Sequence, residues 1–168
     1  SLDLAQGYAL VANNAVIDQY GRIGARQGWV KASATSTALN TSDVKAIAQL
    51  VTTDGSEWTV CTGNNKLFKL VSGVLTELTY GGGGTAPTIT DSNWQLVTLN
   101  QCVYFFQEGH SPLVFAPGVS TTTYRRISEQ AGSVGTVPSA DVALSAYGRL
   151  WAASSTTNKN VVSFSDIL

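Results

Sequence analysis

The sequence predicts an all-β protein: about two and a half β-propeller-like blades of antiparallel strands, preceded by an extended N-terminal arm. Three observations carry this. First, aromatic and apolar positions recur in step: Trp58, Tyr104 and Trp151 stand 46 and 47 positions apart, and Phe68, Phe115 and Val162 stand 47 and 47 apart. Second, each period holds several short apolar runs separated by Gly, Asn and Asp turns of the kind that close hairpins. Third, 43% of the chain is hydrophobic and only 12% charged, while Ser and Thr together outnumber Asp, Glu, Lys and Arg. Hydroxyl-rich sequences of low charge suit strands and turns better than helices laced with ion pairs. Periods of roughly 40 to 50 residues, each with several strands, point to blades, because one four-stranded sheet cannot bury both faces without neighbours.

The elements follow in order. Residues 1–43 read as an arm or edge hairpin plus a linker. Asn13-Asn14, Asp18-Gln19-Tyr20-Gly21, Gly24 and Gly28 leave runs too short for a stable helix, and Ser33 to Asp43 is small, polar and without period. Residues 44–168 read as the repeats, over 44–80, 92–127 and 141–168. The first repeat predicts strands at Ala46–Thr53, Trp58–Thr62, Lys66–Val71 and Val74–Leu78, joined at Asp54-Gly55, Gly63-Asn64-Asn65 and Ser72-Gly73. The second predicts Trp94–Leu99, Val103–Gln107, Leu113–Ala116 and Thr122–Ile127, with turns at Asn100-Gln101, Glu108-Gly109-His110 and Pro117-Gly118. The third predicts Val142–Ala146, Arg149–Ala153 and Val161–Phe164 and holds no fourth strand. Two and a half blades do not close a ring of four to eight, so the chain is expected to be part of a longer one or, as the second alternative, to take its missing sheet partners from other subunits. Helical signal is confined to one turn at Ser42–Ala46, and Gly81-Gly82-Gly83-Gly84 reads as an inter-blade loop because no Lys-Ser/Thr and no helix start follow it.

Composition excludes several function classes. The net charge of −1 and pI near 5.7 argue against a tight grip on nucleic acid, which comes from clustered Lys and Arg. No apolar run is long enough to span a membrane, and Ser1 to Gln6 lacks the regions of a secretion signal. Cys61 and Cys102 fall out of step with the repeat and read as two buried free thiols. With a single His, no zinc pattern forms, and no metal or cofactor is expected.

Catalysis is not expected either. Glu108-Gly109-His110-Ser111 sets an acid, an imidazole and a hydroxyl in one turn, but adjacency in sequence does not orient a triad in space. Asp54, Asp91, Asp141 and Asp166 sit at turns or strand ends, where Asp caps backbone N–H groups. Thr52 to Trp58 resembles the Ser-x-Asp-x-Gly-x-x-Trp turn of propeller sialidases, one residue short between Asp54 and Gly55, and that turn is structural in its own family. The catalytic arginine cluster of those enzymes has no counterpart among five arginines. Trp58, Trp94, Tyr104, Phe105, Phe106 and Trp151 alternate within strands and read as sheet core. If exposed together in one pocket, they would instead make a carbohydrate-binding module. Both faces of Val103-Tyr104-Phe105-Phe106 are apolar, as in a sheet covered on both sides.

Two phrases carry a resemblance. Gly7-Tyr8-Ala9, then Asn13 to Trp29 with Asn14, Gly21, Arg26 and Gly28, resembles the start of tail structural proteins of short-tailed bacteriophages. Ala146 to Ala153 with Gly148, Arg149 and Trp151, then Asn160 to Asp166 ending in Ser165-Asp166, is similar to a blade phrase of those proteins. The resemblance implies a tail nozzle, or tail tubular protein: a virion structural protein made in the bacterial host cytoplasm. It would form a ring of copies with portal-adaptor and other tail proteins, through which double-stranded DNA passes at ejection without specific binding. It identifies no catalytic residue.

Overall fold

A computed structural model describes residues 15–17, 23–25, 32–33, 36–155 and 157–166. The chain divides into two compact units, Ser1–Ala32 and Ser33–Leu168. In the first, β1 (Ala15–Ile17) and β2 (Ile23–Ala25) pair antiparallel with Val16 opposite Gly24.

The second unit is a succession of sheets. β3 (Ala46–Val51), β4 (Glu57–Gly63), β5 (Lys66–Val71) and β6 (Val74–Glu77) form an antiparallel meander in chain order, the first sheet. The short β7 (Thr79–Tyr80) then crosses to the next sheet. There β8 (Trp94–Leu99), β9 (Cys102–Gln107), β10 (Leu113–Phe115) and β11 (Thr123–Arg126) form a second meander, and β7 pairs parallel with β11 at its edge. β12 (Ala140–Ala146), β13 (Arg149–Ser155) and β14 (Val162–Phe164) make the third sheet. Every pair but β7 with β11 is antiparallel, and no α-helix occurs among the described residues. Three sheets do not close into a ring among the described residues.

Turn chemistry sets the registers. Asn64-Asn65, Ser72-Gly73, Asn100-Gln101 and Tyr147-Gly148 each put both turn residues at positive φ, from 46° at Asn100 to 76° at Gly73. Two such residues twist the backbone in the sense that the right-handed twist of the flanking strands needs. The strands predicted at Lys66–Val71 and Trp94–Leu99 are found at those bounds. The last strand of the second repeat stops at Arg126, because Ile127–Glu129 turns as a 3-10 helix, with the Glu129 carboxylate accepting from the Arg126 N–H at 3.0 Å. No helical turn forms over Ser42–Ala46; the chain is irregular there until β3 begins.

The described part of the stretch read from sequence as linker, residues 36–43, lies on the first sheet together with Val44-Lys45. Asn64 donates from Nδ2 to Ala38 O at 2.8 Å, and the Lys45 N–H donates to Thr62 O at 2.8 Å. Gly63 permits this approach: a Cβ there would stand 2.5 Å from Asp43 O and 2.7 Å from Leu39 Cδ1.

Alternation along the strands then builds two cores. Leu50, Trp58, Val60 and Leu67 of the first sheet meet Trp94, Leu96, Phe105 and Phe115 of the second. The opposite face of the second sheet, Val97, Cys102, Tyr104, Phe106 and Val114, meets Ala143, Leu150 and Ala152 of the third. The second sheet is thus covered on both faces, as the doubly apolar β9 requires. The opening strands of successive sheets lie side by side, β3 beside β8 and β8 beside β12.

Candidate functional site: the third sheet

Five of the signature residues gather at one end of the third sheet. Gly148, at φ 69°, completes the β12–β13 turn and delivers Arg149 to the start of β13. Arg149 donates from its guanidinium to Ser165 O at 2.7 Å, stands 3.9 Å from an Asp166 carboxylate oxygen, and lies 5.0 Å over the Phe164 ring. Ser165 fastens the same corner: its N–H donates to Leu150 O at 2.8 Å, and its Oγ accepts from the Leu150 N–H at 3.0 Å. Trp151 packs on Phe164 with ring centroids 5.2 Å apart and donates from Nε1 to Ala146 O at 3.1 Å. Asn14, Gly21, Arg26 and Gly28 lie outside the described residues. The third-repeat phrase thus works as a clamp that joins the start of β13 to the end of β14.

The clamp frames an open apolar face. The pairing register puts Val142 beside Ala153 and Val162, and Leu144 beside Trp151 and Phe164, all on the side turned away from the second sheet. In the second sheet, Val97 occupies the place of Leu144, Tyr104 that of Trp151, and Val114, opposite Tyr104, that of Phe164. Val97 is 7% exposed and Val114 1%, whereas Leu144 is 52% and Phe164 59% exposed. The residues have the same character and the same register; only the cover differs. A shallow hollow of about 360 Å³ on this face is lined by apolar residues, Trp151, Leu144 and Tyr147 among them.

A larger cavity of about 820 Å³ lies where the 130–139 loop runs between the second and third sheets, with Tyr104, Phe106, Leu150 and Asp166 in its wall. It brings together no acid–base pair that would do chemistry. His110 donates its N–H to Gln107 O at 3.1 Å, and Glu108 faces Lys159 at 3.6 Å, so the Glu108–His110 turn is tied locally. Asp54 accepts from Thr52 Oγ1 at 2.5 Å and from the Ser56 N–H at 3.1 Å, and these bonds hold its carboxyl below the usual range. That turn is a self-contained cap. Among the described residues no group of three or more His, Cys, Asp or Glu could hold a metal ion, and no helix is long and apolar enough to cross a membrane. Cys61 and Cys102 are free and buried, and burial pushes the Cys61 thiol up to about 11.

Sequence reasoning missed one polar cluster. Tyr80, on β7, accepts from the Arg126 guanidinium at 2.6 Å and donates to Glu129 at 2.5 Å, while Arg126 also donates to Thr85 O at 2.8 Å. Burial of Glu129 opposes its ionisation, but the bonds from Tyr80 and Arg126 outweigh it, so the carboxyl titrates below its usual range. The cluster fastens β7 and the glycine run to the second sheet. Its only signal in the sequence was the Arg125-Arg126 pair followed three residues later by Glu129.

Comparison with protein-family models, with curated proteins and with solved structures gives no significant match.

Proposed function

We propose that this chain is a structural component of a short-tailed bacteriophage tail, part of a nozzle or tail tubular protein, whose sheets are blades of a propeller-like body. In this reading it is a virion protein made in the host cytoplasm. It takes its place in an oligomeric ring with portal-adaptor and other tail proteins, and acts by assembly and containment, without catalysis or cofactor. The observation that carries the reading is the blade phrase Gly148-Arg149-x-Trp151 … Ser165-Asp166. Its members meet in one clamp beside an apolar face of the kind that internal blades bury.

Charge supports the DNA-conduit role. A channel that gripped phosphates would slow the strand at every Lys or Arg contact. The chain carries a net charge of −1, and most of its described cations are engaged. Lys45 pairs with Asp43, Lys66 with Glu77, Arg126 with Glu129, Arg149 with Asp166 and Lys159 with Glu108, while Lys69 donates to Thr121 O. The alternative, a carbohydrate-binding propeller module acting as a receptor-binding tail component, needs the aromatics exposed together. Trp94, Tyr104, Phe105 and Phe106 are buried, which weighs against it.

The test is native mass spectrometry of the assembly that contains this sequence, taken from its natural source, with one subunit released in the same experiment. A closed ring of copies associated with tail proteins is expected. A lone monomer of 17.7 kDa overturns the reading and brings the glycan module forward.

A further inference from the structure

We infer that the large cavity beside the third sheet is the place of a missing fourth strand, and that it binds an extended strand of a partner polypeptide, added antiparallel to β14. The inference stands on the sheet geometry, whether or not the chain belongs to a tail.

The two complete sheets show what a fourth strand does. Leu78, just past β6, and Tyr124, in β11, each send a large side chain into the layer between the first and second sheets. Phe105, Leu113 and Phe115 fill the rest of the second sheet's share of that layer. Counted from the hairpin turns, Ala152 of the third sheet holds the place of Phe105 and its neighbour Ser163 that of Leu113. Ser165, bonded to Leu150 as Phe115 is paired with Val103, holds the place of Phe115. Three large apolar side chains thus become small ones, and the place of Tyr124 is held by no described residue. The cavity of about 820 Å³ is the result, with Tyr104 and Phe106 of the second sheet on one side and Ala152, Ser163 and Ser165 on the other. Close-packed interiors do not leave voids of that size.

The backbone offers the matching edge. Ser165 donates its N–H to Leu150 O, and alternation along an antiparallel strand then turns the N–H and C=O groups of Val162 and Phe164 away from β13, toward the free side of β14. Among the described residues no backbone hydrogen bond meets them there. In the second sheet the corresponding side of β10 is met by β11, and the Ile127 N–H donates to Pro112 O at 3.0 Å.

The walls of the slot specify its occupant. A strand in the register of β11 places one side chain opposite Ser165 and a second opposite Ser163, both into the cavity, where Tyr104, Phe106 and Leu150 favour an aromatic and an aliphatic group. The residue before the aromatic stands opposite Asp166, the one charged residue among those described in the cavity wall. The Asp166 side chain is 96% exposed and 3.9 Å from Arg149, so a Lys or Arg of the strand matches it. The residue between the two large ones lies beside Phe164 and extends the open apolar face. The pattern recognised is therefore a cation, an aromatic, an apolar and an aliphatic residue in that order, in an extended chain whose main-chain groups pair with Val162 and Phe164. The described strands of this chain all have other places, so a partner chain supplies it.

The test is calorimetric titration of the full chain with acetyl-Thr-Lys-Tyr-Val-Leu-Thr-Lys-amide, a soluble peptide of that pattern. Binding with a Kd near about 100 µM is expected. Replacing the peptide's valine by proline removes the N–H that meets Phe164 O, and replacing its tyrosine by serine leaves the cavity unfilled. Each change should weaken binding at least about tenfold. On the protein, Val162→Pro removes an N–H that only the added strand uses, so affinity should fall by a similar factor while the strand-rich circular dichroism is kept. The proline peptide makes the same cut with the protein unaltered. No binding up to about 1 mM overturns the inference, including the case in which the chain fills the slot itself. Binding indifferent to both prolines or to the loss of the tyrosine overturns it too, because the peptide then sits elsewhere. None of these results bears on whether the chain occurs in tail assemblies, which the mass measurement reads separately.

Discussion

The second and third sheets are built from the same phrase and live in different surroundings. Val97, Tyr104 and Val114 of the one correspond to Leu144, Trp151 and Phe164 of the other, in the same pairing register. In the second sheet both faces are covered; in the third one face is covered and the other meets solvent. An apolar side chain in a strand contributes to stability through the area that its neighbours remove from water, so equal residues in the two sheets should contribute very unequally.

The sharpest way to break this comparison is to truncate one aromatic in each sheet. Phe105, 1% exposed between the first and second sheets, should cost about 3 to 5 kcal/mol as Phe105→Ala, since removal leaves a cavity that two sheets cannot both collapse into. Denaturant unfolding monitored by circular dichroism measures it. A cost under about 1 kcal/mol would mean that the two sheets are not packed on each other.

Smaller effects are expected where β7 is fastened to the second sheet. Tyr80→Phe removes one acceptor from Arg126 and one donor to Glu129, and should cost about 1 to 2 kcal/mol. The third sheet has no described strand in the place of β7, so it offers no equivalent lesion. The cluster also predicts acid sensitivity. Glu129 titrates low in the fold, so its contribution is present above its unfolded pKa and fades as pH falls through the lower folded value. Wild type should lose stability from about pH 4.5 downward more steeply than Glu129→Gln, read as the difference in unfolding midpoints.

How much of this was legible in the sequence depends on what each residue's signal records. Hairpin turns record themselves: Asn64-Asn65 and Ser72-Gly73 bracket β5, and that strand was placed at both ends. β7 recorded nothing, because two residues have no period and their parallel partner, Thr123-Tyr124, lies far along the chain. Residues 33–43 read as linker from their small polar composition; what holds Leu39 and Asp43 on the first sheet is Gly63, whose missing side chain admits them. The apolar character of the third sheet's outer face was visible in Val142, Leu144 and Phe164. Its exposure was not, since alternation looks the same whether or not a neighbour is present. The signature phrase named Arg149, Trp151, Ser165 and Asp166, but only the fold shows Phe164 joining them beneath the guanidinium.

A chemical probe sharpens the same contrast without altering the core. Burial raises the Cys61 thiol to about 11, against 9.0 for a free thiol, so its thiolate population at pH 8 should be about a hundredfold lower in the fold than in the unfolded chain. Ellman's reagent should accordingly label Cys61 slowly in buffer and quickly in denaturant. Comparable rates would place Cys61 on an open sheet face, as Leu144 is.

The smallest effect falls on the open face. Phe164→Ser removes a large ring, yet 59% of Phe164 already meets solvent, and the lost contacts are those with Trp151 and Arg149. Stability of the separated subunit should change by less than about 1 kcal/mol, the range of surface substitutions with modest packing. Under conditions that favour association the result should differ, because a partner sheet would bury the ring as the third sheet buries Val114 in the second. Comparing Phe164→Ser at low and high protein concentration therefore separates what the sheet gains from its own fold from what it gains from a cover. A cost of several kcal/mol in the dilute subunit would mean that Phe164 is already packed as Val114 is, and the contrast between the two sheets would disappear.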